Sequence, residues 1–141
     1  MHRRPIGRGR ILAILGAVGV LVGCILPWYS VGGDAGSLPA IVYNGFDGIG
    51  ILAFIAALAT LAIVALPYAA GDRPVAADRG LTYALIAAFA IVGIAAWPLQ
   101  FLGDLLGGLF PDRAYGWWIA LAGAAVLARA AFEIVQEPGR R

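Results

Sequence analysis

At 141 residues, with 62% hydrophobic and 13% charged side chains, the chain is too apolar to hide its core behind a polar surface, and its mean hydropathy of +0.88 makes the bilayer its solvent. The formal charge of +2 rests on ten Arg and no Lys, which leaves no basic patch of the size nucleic acid requires. A single histidine, His2, and a single cysteine, Cys24, exclude haem carriers with paired axial histidines, dithiol oxidoreductases and an internal disulfide.

The N-terminal tail carries Arg3, Arg4, Arg8 and Arg10 and leads into an uncharged run over 11–29, the first predicted span. The run closes on Leu26-Pro27-Trp28-Tyr29 with no A-x-A-like cleavage site, so it reads as an uncleaved anchor. Gly16, Gly19 and Gly23 line it, the last two as a GxxxG match, and Cys24 reads as a small packing residue. Two short apolar or aromatic runs then flank the turn Gly32-Gly33-Asp34-Ala35-Gly36, the pattern of a β-hairpin. Trp28, Tyr29, Tyr43 and Phe46 in this segment are the candidate partner-binding residues, because exposed aromatics supply most contact energy at interfaces. Asp47 stands where its carboxylate could cap the free amides of the second span.

The second span covers 49–70, with Ala53 and Ala57 at small-xxx-small spacing. A short charge-balanced loop with Arg73 and Arg79 leads to the third span, 81–101, with Ala84 and Ala88. The segment 100–114 spaces Leu102, Leu105, Leu106, Leu109 and Phe110 around Asp104, the pattern of a short amphipathic helix lying in the interface plane. The fourth span, 115–135, carries an Ala120, Ala124 and Ala128 stripe and ends with Arg129 and Glu133, which are spaced to pair at i,i+4 and to snorkel. Small-residue faces of this kind predict a tight bundle. The same faces could also join copies of the chain.

Nine of the ten Arg fall on one side of this scheme and only Arg113 on the other. The positive-inside rule therefore places both termini in the cytoplasm. All four Trp fall at the predicted outer boundary, and Tyr68 and Tyr83 at the inner one, as in an aromatic belt. An offset of 71 residues lays the first span on the third and the second on the fourth, with about 15 identities over roughly 70 positions, roughly twice chance. Pro27 meets Pro98, Gly45 meets Gly116 and Pro67 meets Pro138. The pattern fits an all-α membrane fold, a four-helix transmembrane bundle, with the halves either a duplicated two-helix hairpin or two apolar hairpins that share the same Pro and Gly punctuation.

No ionisable group lies mid-span, where proton- or cation-coupled transport requires one, and no nucleophile–base set, metal-ligand cluster or phosphate loop is present. Neither catalytic residues nor a cofactor are expected. Leu26-Pro27-Trp28-Tyr29, the Gly-rich outer loop and Gly45-Phe46-Asp47-Gly48 resemble those of small four-span membrane proteins of high-GC bacteria, which implies a multi-pass protein of the bacterial cytoplasmic membrane. The layout is also similar to that of claudins, without the paired loop cysteines of that family. The function expected is a non-enzymatic accessory or scaffold subunit of a larger membrane complex. An oligomeric channel or transporter is the alternative, and a lipid- or quinone-binding protein the third. A cysteine introduced by Ala35→Cys should react with impermeant reagents from outside intact cells; reaction only after lysis would reverse the orientation.

Overall fold

The computed structural model describes residues 7–31, 39–69, 80–101 and 115–136. Helix α1 (Arg8–Ile25) leads into strands β1 (Pro27–Val31) and β2 (Ile41–Asn44); a 3₁₀ turn, Gly48–Gly50, opens α2 (Ile51–Ala69). Helix α3 (Gly80–Ala96) tightens into a second 3₁₀ turn, Trp97–Phe101, and α4 (Tyr115–Gln136) completes the fold. All four helices, counted with their adjoining turns, are long and apolar enough to cross a membrane. The chain is a multi-pass, four-helix membrane bundle with a small antiparallel hairpin between its first two helices. The Gly-rich turn of that hairpin, the amphipathic segment after Phe101, the loop with Arg73 and Arg79 and both tails lie outside the described residues.

The first span ends earlier than the apolar run suggests. Pro27 disfavours helix at the residue before it, and Leu26 is extended (φ −78°, ψ 158°), so 26–29 belong to the hairpin and not to the helix. The same chemistry shortens the third span, whose α-helix stops at Ala96, two residues before Pro98.

Each helix packs on two neighbours, α1 on α2 and α4, and α3 on α2 and α4. This up-down-up-down square brings the start of α1 and the end of α4 to the same end of the bundle. Its interior is built from small residues such as Ala13 and Ala17, Ala53 and Ala57, Ala87 and Ala90, Ala120 and Ala124. Val20, Val64, Ile94 and Leu127 are buried among them, but many large aliphatics point outward, as Ile11, Leu15, Val18, Val22 and Ile25 do along one face of α1. This reversal of the soluble pattern follows from the solvent. Lipid tails are as apolar as Leu, so burying Leu gains little, whereas small residues let backbones approach and gain dispersion.

Contact is closest along α1 and α4. A Cβ built on Gly23 would overlap the Ala120 amide nitrogen and come within 2.7 Å of its Cβ. One on Gly16 would stand 2.7 Å from the Leu127 nitrogen and 2.9 Å from the Gly123 oxygen, and one on Gly123 2.5 Å from the Val20 nitrogen. The Gly19–Gly23 face is thus occupied within the chain. Ala120 and Ala124 are buried in the same seam, while Ala128 is only half-buried, because a strict i,i+4 row drifts around a helix of 3.6 residues per turn.

These distances rank the glycines. Gly23→Ala and Gly123→Ala should each cost about 1–3 kcal/mol through backbone displacement. Gly19→Ala should cost less, since its Cβ would come no nearer than 3.1 Å, to the Gly123 Cα. Unfolding of the three variants in detergent measures the order, and equal losses would contradict it.

Candidate functional site

Trp28, Tyr29, Tyr43, Phe46, Phe54, Trp97, Tyr115, Trp117 and Trp118 gather at one end of the bundle, where the hairpin meets the ends of α1 and α3, whereas Phe89 lies midway along α3 and Tyr68, Tyr83 and Phe132 lie toward the other end. A helix leaves its last four carbonyls without intrahelical donors, and in hydrocarbon no water replaces them. Here side chains and the hairpin do so. Trp28 Nε1 donates to the Gly23 oxygen at 2.7 Å, the Gly45 amide to the Cys24 oxygen at 2.9 Å, and the Leu26 amide to the Val22 oxygen at 3.3 Å. At the end of α3, Trp117 Nε1 donates to the Ile94 oxygen at 3.0 Å. Trp97 Nε1 closes the adjoining turn by donating to the Asp47 oxygen at 2.8 Å.

Trp28 reaches this position through a β-bulge. Pro27 pairs with Asn44 and Tyr29 with Tyr43, so the register shifts around Trp28; the extra residue re-aims its side chain. Its ring is fully buried and meets that of Trp97 edge-on, with centroids 5.2 Å apart. Tyr29 and Tyr43 stack across the strand pair at 6.2 Å and are half-buried against the core. Phe46 is 40% exposed and packs edge-on to Phe54 of α2 at 4.8 Å.

The structure therefore divides the aromatic residues of the hairpin. Tyr29 and Tyr43 stack on each other half-buried, Phe46 stands exposed against Phe54, and Trp28 is a core residue with no face left for a partner. It corrects the aromatic belt as well. Trp97 and Tyr83 are also buried and Trp117 is partly so, leaving Trp118 and Tyr115 exposed at the hairpin end and Tyr68 at the other. An indole brings one donor inward with a large apolar body, and unfilled carbonyls at helix ends draw it in.

Asp47 departs from the capping expectation. Its carboxylate makes no cap bond to the helix; it accepts from the Asn44 amide at 2.7 Å, while the Asn44 side chain accepts from the Phe46 amide at 2.9 Å. The two form a tight turn that fixes Phe46, and Gly48, at φ +79°, lets the chain reverse into α2 where a side chain would be strained. A Cβ there would also collide with the Gln100 carboxamide.

Deeper in the bundle Thr60 is fully buried, and its hydroxyl donates to the Ala56 oxygen at 2.9 Å, so its polar demand is met within its own helix. Among the described residues no three His, Cys, Asp or Glu side chains converge. Toward the far end of α4, Arg129 Nη2 lies 3.3 Å from Glu133 Oε1. No protein-family model, curated protein or solved structure matches the chain.

The exposed remainder of the hairpin is apolar without being aromatic. Ile41 is 58% and Val42 52% exposed, and neither stands out in the sequence, where β-branched residues of a strand look like core. Trp97 and Trp117 as carbonyl partners are equally hidden. The signal available was four Trp at one predicted depth, each with an N–H to place. Trp28→Ala should remove the cap and leave a cavity, lowering stability by about 3–5 kcal/mol, whereas Trp28→Phe should cost less, losing the hydrogen bond to Gly23 and keeping the ring. Unfolding in detergent separates the two, and a Trp28→Ala protein as stable as wild type would contradict the buried placement.

Proposed function

We propose that the protein is a non-enzymatic accessory or scaffold subunit of a larger membrane complex, held in a bacterial cytoplasmic membrane with both termini in the cytoplasm and the hairpin outside. The observation that carries this reading is the exposure of Ile41, Val42 and Phe46 on the segment that links the two helix ends. Outward-facing aliphatics on the helices meet lipid. On a hairpin that continues past the end of α1, apolar side chains exposed on both faces of β2, Ile41 on one and Val42 on the other, are surfaces of the kind that mark a protein contact.

The bundle supports this reading over transport. Its α1–α4 seam is closed at backbone distance, the rest of its described interior is filled by Ala together with side chains such as Val20, Ile94 and Leu127, and the buried Thr60 hydroxyl is satisfied by its own helix. The charge bias of the Arg supports the orientation, and a β-hairpin between the first two helices supports the similarity of layout to claudins. Within the hairpin, Ile41, Val42 and Phe46 are the proposed contacts, with Tyr29 and Tyr43 as their rim and Trp28 as their support.

Mild solubilisation from the native membrane should recover a larger complex in fixed proportion to this chain. Replacing Ile41 and Val42 by Ser together with Phe46→Ala should weaken the association about thirtyfold, the effect of losing about 2 kcal/mol at an interface, and leave the bundle folded. Recovery instead as a homo-oligomer around a hydrated path would favour the channel reading.

A further inference from the structure

The lipid-facing row of α4 runs through Tyr115, Trp118, Val126 and Phe132, all exposed, and a charge stands in it. Arg129 has 64% of its side chain exposed, while its partner Glu133 has 21%. The guanidinium carbon lies 5.8 Å from the centroid of the Phe132 ring. Over 22 residues α4 is roughly 33 Å long, close to the hydrocarbon thickness, and the Arg129 Cα lies roughly 10 Å short of its C-terminal end. At that depth an exposed guanidinium is stable only if it reaches up to the polar layer and finds a counter-charge there.

Glu133 supplies half of that arrangement. It sits one turn nearer the helix end and holds Nη2 from that side, which draws the guanidinium toward the headgroups. Arg offers five N–H donors in a planar fork suited to phosphate, and Glu133 engages it through one nitrogen. Arg8, exposed at the start of α1, adds positive charge at the same end of the bundle.

We propose that Arg129 is a headgroup site for an anionic phospholipid of the leaflet at this end. The phosphate is held by the guanidinium and the two acyl chains lie against Val126 and Phe132, which flank Arg129 at about 60° to either side around the helix. The chemistry recognised is a phosphodiester on an apolar tail, and the site is independent of what the hairpin binds.

The test uses the full chain in mild detergent, offered equal amounts of phosphatidylglycerol and phosphatidylcholine, with retained lipid counted by native mass spectrometry. Wild type should favour phosphatidylglycerol about fivefold, the effect of one basic residue near an anionic surface. Arg129→Gln should abolish that preference at unchanged helicity and melting temperature, and Glu133→Gln should keep it, since the guanidinium remains. Millimolar inorganic phosphate should not displace the lipid, because a free anion gains nothing from the apolar row. The proposal is overturned by a wild type without preference, by an Arg129→Gln protein that keeps it, or by a Glu133→Gln protein that loses it. Displacement by inorganic phosphate, or Arg129-dependent capture of a carboxylate-bearing membrane helix in place of lipid, would overturn it equally.

Discussion

Backbone contact between α1 and α4 is the interaction on which the rest of the bundle depends. Hydrocarbon supplies no drive for apolar helices to associate, so what joins them must come from dispersion at short range. Gly16, Gly23 and Gly123 provide it by allowing main chain to meet main chain over the length of the pair, from Gly9 beside Ile134 to Gly116 beside Leu26. With α1 and α4 held together, the first and last helices of the chain close the square, and α2 and α3 are enclosed by connectivity as well as by packing. Many large aliphatics are then left to face lipid, where they cost nothing.

Drawing α1 and α4 together creates a second demand at the hairpin end. The last carbonyls of α1 come to lie beside the start of α4, where Gly116 leaves room for the Leu26 and Pro27 oxygens, and water has little access. The hairpin answers this by turning back over the helix that precedes it. Trp28 takes the Gly23 carbonyl and Gly45 takes the Cys24 carbonyl, so β1 and β2 are fastened to α1 from both strands. A two-stranded sheet is marginal by itself; here its order derives from the helix ends it caps. Tyr29, Tyr43 and Phe46 are consequently held on a fixed frame, which is what a binding surface requires if little ordering entropy is to be lost on contact.

The four helices and the hairpin were legible in the sequence because their signals are long or repeated: uncharged runs near twenty residues, and apolar strands around a Gly-rich turn. What was not legible depended on tertiary position. Trp28 reads as an interfacial aromatic because Trp favours that depth, and nothing in its local sequence reports that a bulge turns it inward toward an open carbonyl. Asp47 reads as a helix cap because it precedes a span, yet the Asn44 amide is nearer and claims it. Ile41 and Val42 have strand propensity in either setting, so their exposure could be learned only from the register and from where the sheet docks. The small-residue rows were readable as packing faces, but periodicity alone does not say whether they pack on each other or on a second copy; the opposition of Gly19 and Gly123 does.

The seam also bears on the internal similarity between the two halves. Shifting α1 (Arg8–Ile25) by 71 residues lays it on α3 (Gly80–Ala96) almost end to end, and the square arrangement places α1 and α3 in corresponding positions. A symmetric duplication would then make the α2–α3 contact a copy of the α1–α4 contact. It is not one. Gly16, Gly19 and Gly23 correspond to Ala87, Ala90 and Ile94, each with a Cβ where the seam has none, and Tyr83 is buried between α3 and its neighbours at the end where α1 and α4 stay close. On the α2–α3 side the glycine that comes close is Gly93, against Ala53 and Leu52. Whatever relates the halves in sequence, they have separate mechanical roles: one interface is locked at backbone distance along its length, and the opposite one is joined by side chains and a single glycine. Through the Gly23 and Cys24 carbonyls the hairpin is registered to α1, and through the glycine seam to α4.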